Sequence, residues 1–416
     1  MSRGIRRGLV GAVTLVTAAS MMLSACGSDS DGDSTKGSGE GVSKLPSGGN
    51  APKGSVIKIG NTASLTGPQA SSSSQSATVA PAWADWVNAN GGIDGHPVQI
   101  ITVDDAGDPS KAQALAKKLV EEDKVQAILV GSDGFISNFG DYALQKGVPL
   151  IAGTANDPTW YTKPGAFSAV TDVVSGQATQ LLVAQKYGKA KKFADLYCSE
   201  IAACAQVLKI QKPIAQKMGL DYTSLAVSST ATSYTAQCLQ LKQDGVDYAQ
   251  LNFATAAAAK FIQDCQAQGY NPTWGSSEQG IAPALLKVPD VTLYGPAYAF
   301  PSVLDTPSVD TFRQAMEKYA TDDNWHEGTA SFAWTGLELL RSALAGIGTD
   351  PTSQSVMNAL NTKIQNTDLD GLLANKVSFN GKPIGFMSRP CAFVVGIKDG
   401  KTVAPAGTEA VCVSAS

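Results

Sequence analysis

The chain has 416 residues, 43% apolar and 16% charged, with 32 basic against 36 acidic side chains and a formal net charge of −4. That apolar share suits an ordinary globular core, and the lack of a basic excess argues against a nucleic-acid partner held by phosphate neutralisation. There are two histidines and no Cys-x-x-Cys spacing, so no zinc-ligand pattern is present, and no cofactor motif appears.

Arg3, Arg6 and Arg7 open the chain, and residues 9–23 are apolar or small without a charge. So short a run suits a signal peptide better than a membrane span. It ends in Leu23-Ser24-Ala25-Cys26, which resembles the bacterial lipobox. We expect residues 1–25 to be removed and Cys26 to carry two acyl chains, enough for stable anchoring to the cell membrane. Removal takes three arginines and no acid, leaving 29 basic residues against 36 acidic. Residues 26–54 are rich in Gly, Ser and Asp and read as a flexible, lipid-anchored tether, with the folded part starting near Val56. About 360 residues follow, the size of two lobes.

From Val56 onward strands and helices alternate. Residues 56–60 read as a strand. Val79, Trp83, Trp86 and Val87 recur at helical spacing, and that helix stops at Asn90-Gly91-Gly92. Residues 98–103 are the next strand. Asp108-Pro109-Ser110 turns into a helix with Ser110 and Gln113 as its expected capping box. Strands follow at 125–130 and 148–152. A second series begins after Asp172, with strands at 193–197, 222–227 and 246–253 and helices at 203–218, 234–244 and 256–268. Two successive βα series imply an α/β fold of two doubly wound parallel-sheet lobes, with ligands outside the carboxyl ends of the strands and the cleft between the lobes as the site. Residues 331–345 are apolar nearly all round and should be a buried helix. Residues 376–403 read as a β-hairpin region with turns at Asn380-Gly381 and Asp399-Gly400.

With Cys26 set aside, six of the seven cysteines remain, an even number suited to an oxidising compartment. We expect neighbours to pair, Cys198 with Cys204, Cys238 with Cys265 and Cys391 with Cys412; buried thiols are the alternative.

Ile57-Lys-Ile-Gly60, Ser64-Leu-Thr-Gly-Pro68, Trp86-Val-Asn-Ala-Asn-Gly-Gly-Ile-Asp-Gly-His-Pro-Val-Gln-Ile100, the run from Asp104-Asp105 to Ala112, and Gly147-Val-Pro-Leu-Ile151 together resemble type I periplasmic solute-binding proteins. The branch they look most like is that of branched-chain amino acid receptors of ABC transporters. The resemblance implies two lobes joined by three crossovers, near Val170–Asp172, Tyr298–Val303 and Gly346–Pro351. Residues 55–171 with 303–348 would then form lobe 1, and residues 172–302 with 349–416 lobe 2.

The resemblance also implies site residues. The ligand's carboxylate would meet the loop of Ser132, Asp133, Gly134 and Phe135, and amides at a helix N-terminus favour an anion independently of any family. Thr154 and Asn156 would contact the ligand from the next loop. Its ammonium would meet Asp172 and Glu278. Phe253 is expected to wall the cleft, and Trp160 and Tyr161 add aromatic surface. Asp133 beside a carboxylate pocket and the Cys198–Cys204 region are departures from the relatives, so the ligand is expected to be small and polar, an amino acid or a related carboxylate or amide. The implied partners are that ligand, an ABC permease and, through Cys26, the membrane, with the receptor a monomer. A sensor of the same fold coupled to a signalling protein is the alternative. A surface hydrolase is the third reading, and no nucleophile elbow, Walker loop or His-Glu-x-x-His supports it. Asp104-Asp105 reads as loop structure rather than an acid–base pair, and His96 as part of a turn.

Overall fold

The computed structural model describes residues 40–67, 70–131, 135–152, 157–200, 202–326, 329–383, 385 and 389–413. The expectations for residues 1–25 and for Cys26 lie outside them. Residues 38–416 form one compact unit.

Strands β1 (Gly41–Val42), β2 (Ile57–Ala63), β3 (Val98–Asp104), β4 (Ala127–Val130), β5 (Leu150–Ile151) and β6 (Ala166–Phe167) make the first sheet, ordered β1-β3-β2-β4-β5-β6. The second contains β7 (Lys192–Cys198), β8 (Asp221–Val227), β9 (Tyr248–Asn252), β10 (Thr273–Gly275), β11 (Leu293–Ala297), β12 (Cys391–Lys398) and β13 (Lys401–Val403), ordered β13-β12-β11-β10-β9-β7-β8, with β14 (Val411–Cys412) beside β12. Strands β2–β6 and β7–β11 are parallel within their sheets.

The helices are α1 (Ala70–Ser73), α2 (Gln75–Ala89), α3 (Pro109–Glu121), α4 (Ile136–Gln145), α5 (Thr159–Thr162), α6 (Val173–Lys186), α7 (Ala202–Lys217), α8 (Thr235–Gln243), α9 (Thr255–Ala267), α10 (Pro283–Leu286), α11 (Pro307–Tyr319), α12 (Ala330–Leu344) and α13 (Ser353–Lys363). Helix α12 is the all-round apolar helix expected at 331–345, and it packs on α2 and on the first sheet. Its one buried acid, Glu338, is satisfied by the Trp83 indole N–H at 2.7 Å and by Arg341. Buried charge survives in a core only when paired in this way.

Several expectations need correction. Gly41 and Val42, placed in the tether, add to β3 as an antiparallel edge strand, and Ser43 N donates to Ile100 O at 2.9 Å. The open edge of β3 offers backbone groups that an adjacent extended segment satisfies, whatever its side chains. The cap of α3 is Asp108, whose carboxylate accepts from Ser110 N and Lys111 N; Ser110 lies inside the helix. The chain does not cross at Gly346–Pro351: the carbonyls of Gly348, Thr349 and Pro351 accept from His96, Ser55 and Gln126 of the first lobe. Helix α13 then packs on α12, and Phe379 meets Phe167 edge-on at 4.9 Å. Asp399-Gly400 is a hairpin turn, with φ of 52° and 69°, as a primed turn requires. Asn380-Gly381 is not a hairpin turn between ladder strands; the Asn361 side chain accepts from Gly381 N.

All three expected disulfides form, Cys198–Cys204, Cys238–Cys265 and Cys391–Cys412.

Candidate functional site

In both sheets the order reverses about one strand: β3-β2-β4 in the first, β8-β7-β9 in the second. Crevices open at such switch points, beyond the carboxyl ends of the strands. Helix α1, which follows β2, lies against α9, which follows β9. The two switch points therefore face each other.

The first-lobe side of this junction is held by carboxylates. Asp104, ending β3, accepts from Leu65 N at 2.9 Å, Ala106 N at 2.8 Å and the Thr66 hydroxyl at 2.7 Å. Burial opposes its ionisation, but donors from Thr66, Ala106 and Leu65 outweigh it and hold the carboxyl below its ordinary value. Asp105 accepts from the Ser64 hydroxyl and from Gly107 N. Both acids thus shape the loop after β2, as read from the sequence; Asp105 does so through Oδ1, while its Oδ2 is buried with no hydrogen-bond partner among the described residues. Gly131, just after β4, has no room for a side chain: a Cβ there would lie 2.0 Å from Ser76 Oγ.

Ser132, Asp133, Gly134, Thr154 and Asn156 lie outside the described residues. Their flanks are described. Phe135 is half-buried at the start of α4. Ala152, just before the second of these loops, has φ of 65°, a left-handed conformation costly for alanine. Gly336 of α12 comes so close that a Cβ on it would lie 2.4 Å from that of Ala152. Trp160 is wholly buried in the core, which replaces the aromatic surface expected there. Phe253 is half-buried beyond β9 with its ring 5.6 Å from Phe261.

Asp172 and Glu278, far apart in sequence, converge. Asp172 is buried at the N-cap of α6, accepting from Ser175 N at 3.0 Å and Ser175 Oγ at 2.6 Å. Glu278 begins a 3₁₀ turn beyond β10, and only 8% of it is exposed. Its Oε1 accepts from Tyr298 N at 2.6 Å and Ala299 N at 3.2 Å, both on the second passage between lobes. Its Oε2 is buried with no hydrogen-bond partner among the described residues. Burial pushes this carboxyl up to about 8, against the pull of the Tyr298 and Ala299 amides. The Tyr298 phenol is raised by burial, then by the charges of Glu278 and Asp172, so both acids act on one ring. Tyr161 is raised by burial and then by Asp172 and Asp157.

Sequence reasoning missed Tyr298, which donates from its hydroxyl to Gly176 O at 3.2 Å, and the Thr329–Gln75 hydrogen bond that ties α12 to α2. No periodicity marks either; Tyr298 lies in the stretch expected to cross between lobes, the one signal available.

The sequence pattern of the periplasmic binding protein family matches residues 56–401. The chain belongs to this family. Its members are solute-binding receptors, not enzymes, of extracytoplasmic compartments. An "amino acid binding protein" of Pseudomonas aeruginosa is 22% identical over 310 residues, covering 72% of this chain and 81% of its own. A branched-chain amino acid ABC transporter protein of Thermus thermophilus, solved with bound valine, superposes with a TM-score of 0.73 at 15% identity, covering 86% of this chain and 97% of its own. A solute-binding protein of an ABC transporter from R. palustris, solved with benzoate, gives 0.67 at 17% identity, covering 86% and 98%. At these identities the solved structures establish the type I fold of two parallel-sheet lobes. The family's folded part accounts for the alternation seen from Val56.

Proposed function

We propose that the chain is the receptor of an ABC importer, held at the outer face of the cell membrane by lipid on Cys26 after removal of residues 1–25. It closes its lobes on a small polar ligand bearing a cationic nitrogen, an amino acid or a related amide. The observation that carries this reading is Glu278. A buried carboxyl with one free oxygen, set against Tyr298 and Ala299 of the second passage, is costly until a cation compensates it. Its other oxygen holds the amides of the passage itself, so a ligand on Glu278 acts directly on the segment that bends. A ligand can favour closure only by its differential affinity for the closed form, and this contact supplies one. Asp172 is the second acid in reach of the same ring.

The carboxylate end of such a ligand would meet the loops containing Ser132 to Phe135 and Thr154 to Asn156, with Phe253 on the opposite wall. The residues split as 55–171 with 303–388 in lobe 1 and 172–302 with 389–416 in lobe 2.

A thermal-shift screen on the chain beginning at Gly27 tests this. Amino acids, amides, aromatic acids, sugars and polyamines are the panel. A true ligand at a hundredfold excess over its dissociation constant adds about 2.7 kcal/mol of stability. We expect a shift with an amine-bearing class, abolished in Glu278→Gln while the unliganded protein still melts cooperatively. A shift only with sugars, or one unchanged in Glu278→Gln, removes the reading.

A further inference from the structure

Residues 364–379 belong to the first lobe by their contacts. Phe379 lies edge-on to Phe167 of β6, and the Ser308 hydroxyl of α11, a helix packed on α2, donates to Asp370 O at 2.9 Å. Two residues of this segment reach out of it. Leu373 forms an isolated antiparallel bridge with Ala299 of the second passage. Asn375 reaches Cys391, the first residue of β12. Its Nδ2 donates to Cys391 O at 2.8 Å, and its Oδ1 accepts from Cys391 N at 3.0 Å. An amide side chain that meets both main-chain groups of one residue imitates a rung of a sheet and fixes that residue in position and direction at once.

Every polar group of Cys391 is committed. Thr171 of the first passage donates its hydroxyl to Cys391 O at 3.4 Å, which takes the second lone pair of that carbonyl. The side chain is bonded to Cys412, its register partner on β14, and Val413 N donates to Pro390 O at 2.9 Å. β12 is buried from Cys391 to Ile397 and pairs with β11 as far as Phe393 and Ala297. The strand leading into the second passage therefore switches partner within two residues: Ala297 pairs with the second sheet, and Ala299 with Leu373 of the first lobe.

We infer that Asn375 is the positioning residue of the hinge: it holds Cys391 as the fixed point about which the lobes turn, with Thr171 and the Cys391–Cys412 bond as the other two ties. The inference rests on the reading that the lobes close on a ligand and on the division between them proposed above, and it adds where the rotation is anchored. The second passage is held by Glu278 on the Tyr298 and Ala299 amides and by Gly176 O on the Tyr298 hydroxyl, so a charge arriving on Glu278 acts there. The ties at Cys391 are neutral hydrogen bonds and a covalent bond, and they stay in place while that passage bends.

Single-molecule energy transfer reads the interlobe distance without any ligand. Dyes go on the exposed Gln113 of α3 and Gln216 of α7, introduced as unnatural amino acids in the full chain so that no cysteine is added. The parent should show one continuous range of distances. Asn375→Ala should populate distances outside that range about tenfold more often, as loss of two hydrogen bonds of ordinary net strength implies. Asn375→Asp keeps the bond to Cys391 N and loses the one to Cys391 O, so it should fall between the two, and it serves as the test if Asn375→Ala does not fold. Cys391→Ser with Cys412→Ser should also reach distances outside the parent's range. Ser308→Ala removes a hydrogen bond from the same segment at its first-lobe end and should reproduce the parent. Parent-like distances in Asn375→Ala, or equal broadening in Ser308→Ala, overturn the pivot. A ligand screen without a shift removes the receptor reading and leaves this comparison standing, whereas parent-like distances in Asn375→Ala remove the pivot and leave the receptor reading.

Discussion

Strands β2 and β7 hold the same place in their sheets, each at the point where the order reverses. β2 buries Ile57 and Ile59, and its neighbours bury Val98, Ile100 and residues 127–130, all apolar. β7 instead buries Asp195, with Gln250 opposite it on β9. Asn252 donates to Asp195 Oδ1 at 2.9 Å, while Asp195 Oδ2 and Gln250 Oε1 have no partner among the described residues. Helices α6 and α7 cover the second lobe with further polar contacts: Gln211 donates to Gln177 and Gln180 and accepts from the Tyr222 hydroxyl. That same lobe carries every disulfide. One topology has been filled in two ways: the first lobe buries only neutral polar groups on its central strand, Asn61 and Thr62 toward the carboxyl end, whereas the second buries an ionisable acid there and adds covalent cross-links. Strand order therefore does not dictate what holds a lobe together; a polar core forfeits hydrophobic stabilisation, and cross-links offset this by restricting the unfolded chain.

The largest expected effect tests the cross-links. Removing Cys238–Cys265 by a double alanine substitution frees a loop of 27 residues, and chain entropy puts the loss at about 3–4 kcal/mol. Hydrogen exchange should show β7–β9 losing protection while β2–β4 keep theirs. Equal loss in both sheets would mean that the lobes do not differ in this way.

Next comes the polar interior. Burial pushes Asp195 up to about 7, with Asn252 pulling the other way. The unfolded chain releases this proton near 4 and the native one near 7, so the unfolded state binds fewer protons in between and stability falls as pH rises through that window. Asp195→Asn removes the penalty. Denaturant melts should show little difference from the parent at pH 4 and a gain on the order of 3 kcal/mol at pH 8. A gain that does not change with pH would mean that the carboxyl is not the source.

The smallest effect probes the first lobe. Gly336→Ala puts a Cβ 2.4 Å from that of Ala152, and overpacking of this kind costs about 1–3 kcal/mol. The loss should be the same at pH 4 and pH 8, since no titrating group is touched. A pH-dependent loss would tie α12 to an acid of the site through the strained Ala152 backbone.

Most of the fold was legible because each lobe repeats a local pattern. Val79, Trp83 and Val87 mark a helix buried on one face, and the run at 127–130 marks a strand buried on both. Nearest-neighbour cysteine pairing also held. The site was legible in outline only. Glu278 and Asp172 were singled out through the family resemblance, but nothing in the sequence tells that Glu278 holds the amides of Tyr298 and Ala299. Trp160 looked like surface because a loop tryptophan carries no periodicity; its burial comes from elements remote in sequence.

The sequence alone determined what depends on neighbours along the chain: strand and helix alternation, the buried face of α2, the all-round burial of α12, and the family through its runs between Ile57 and Ile151. The tertiary structure alone decided what depends on residues brought together from afar. It tied the carbonyls of Gly348, Thr349 and Pro351 to donors on His96, Ser55 and Gln126. It recruited Gly41–Val42 to an open sheet edge, and it left one oxygen of Glu278 buried and free. A hydrogen bond or an unpaired oxygen is a property of two places in space, and a sequence records only one of them at a time.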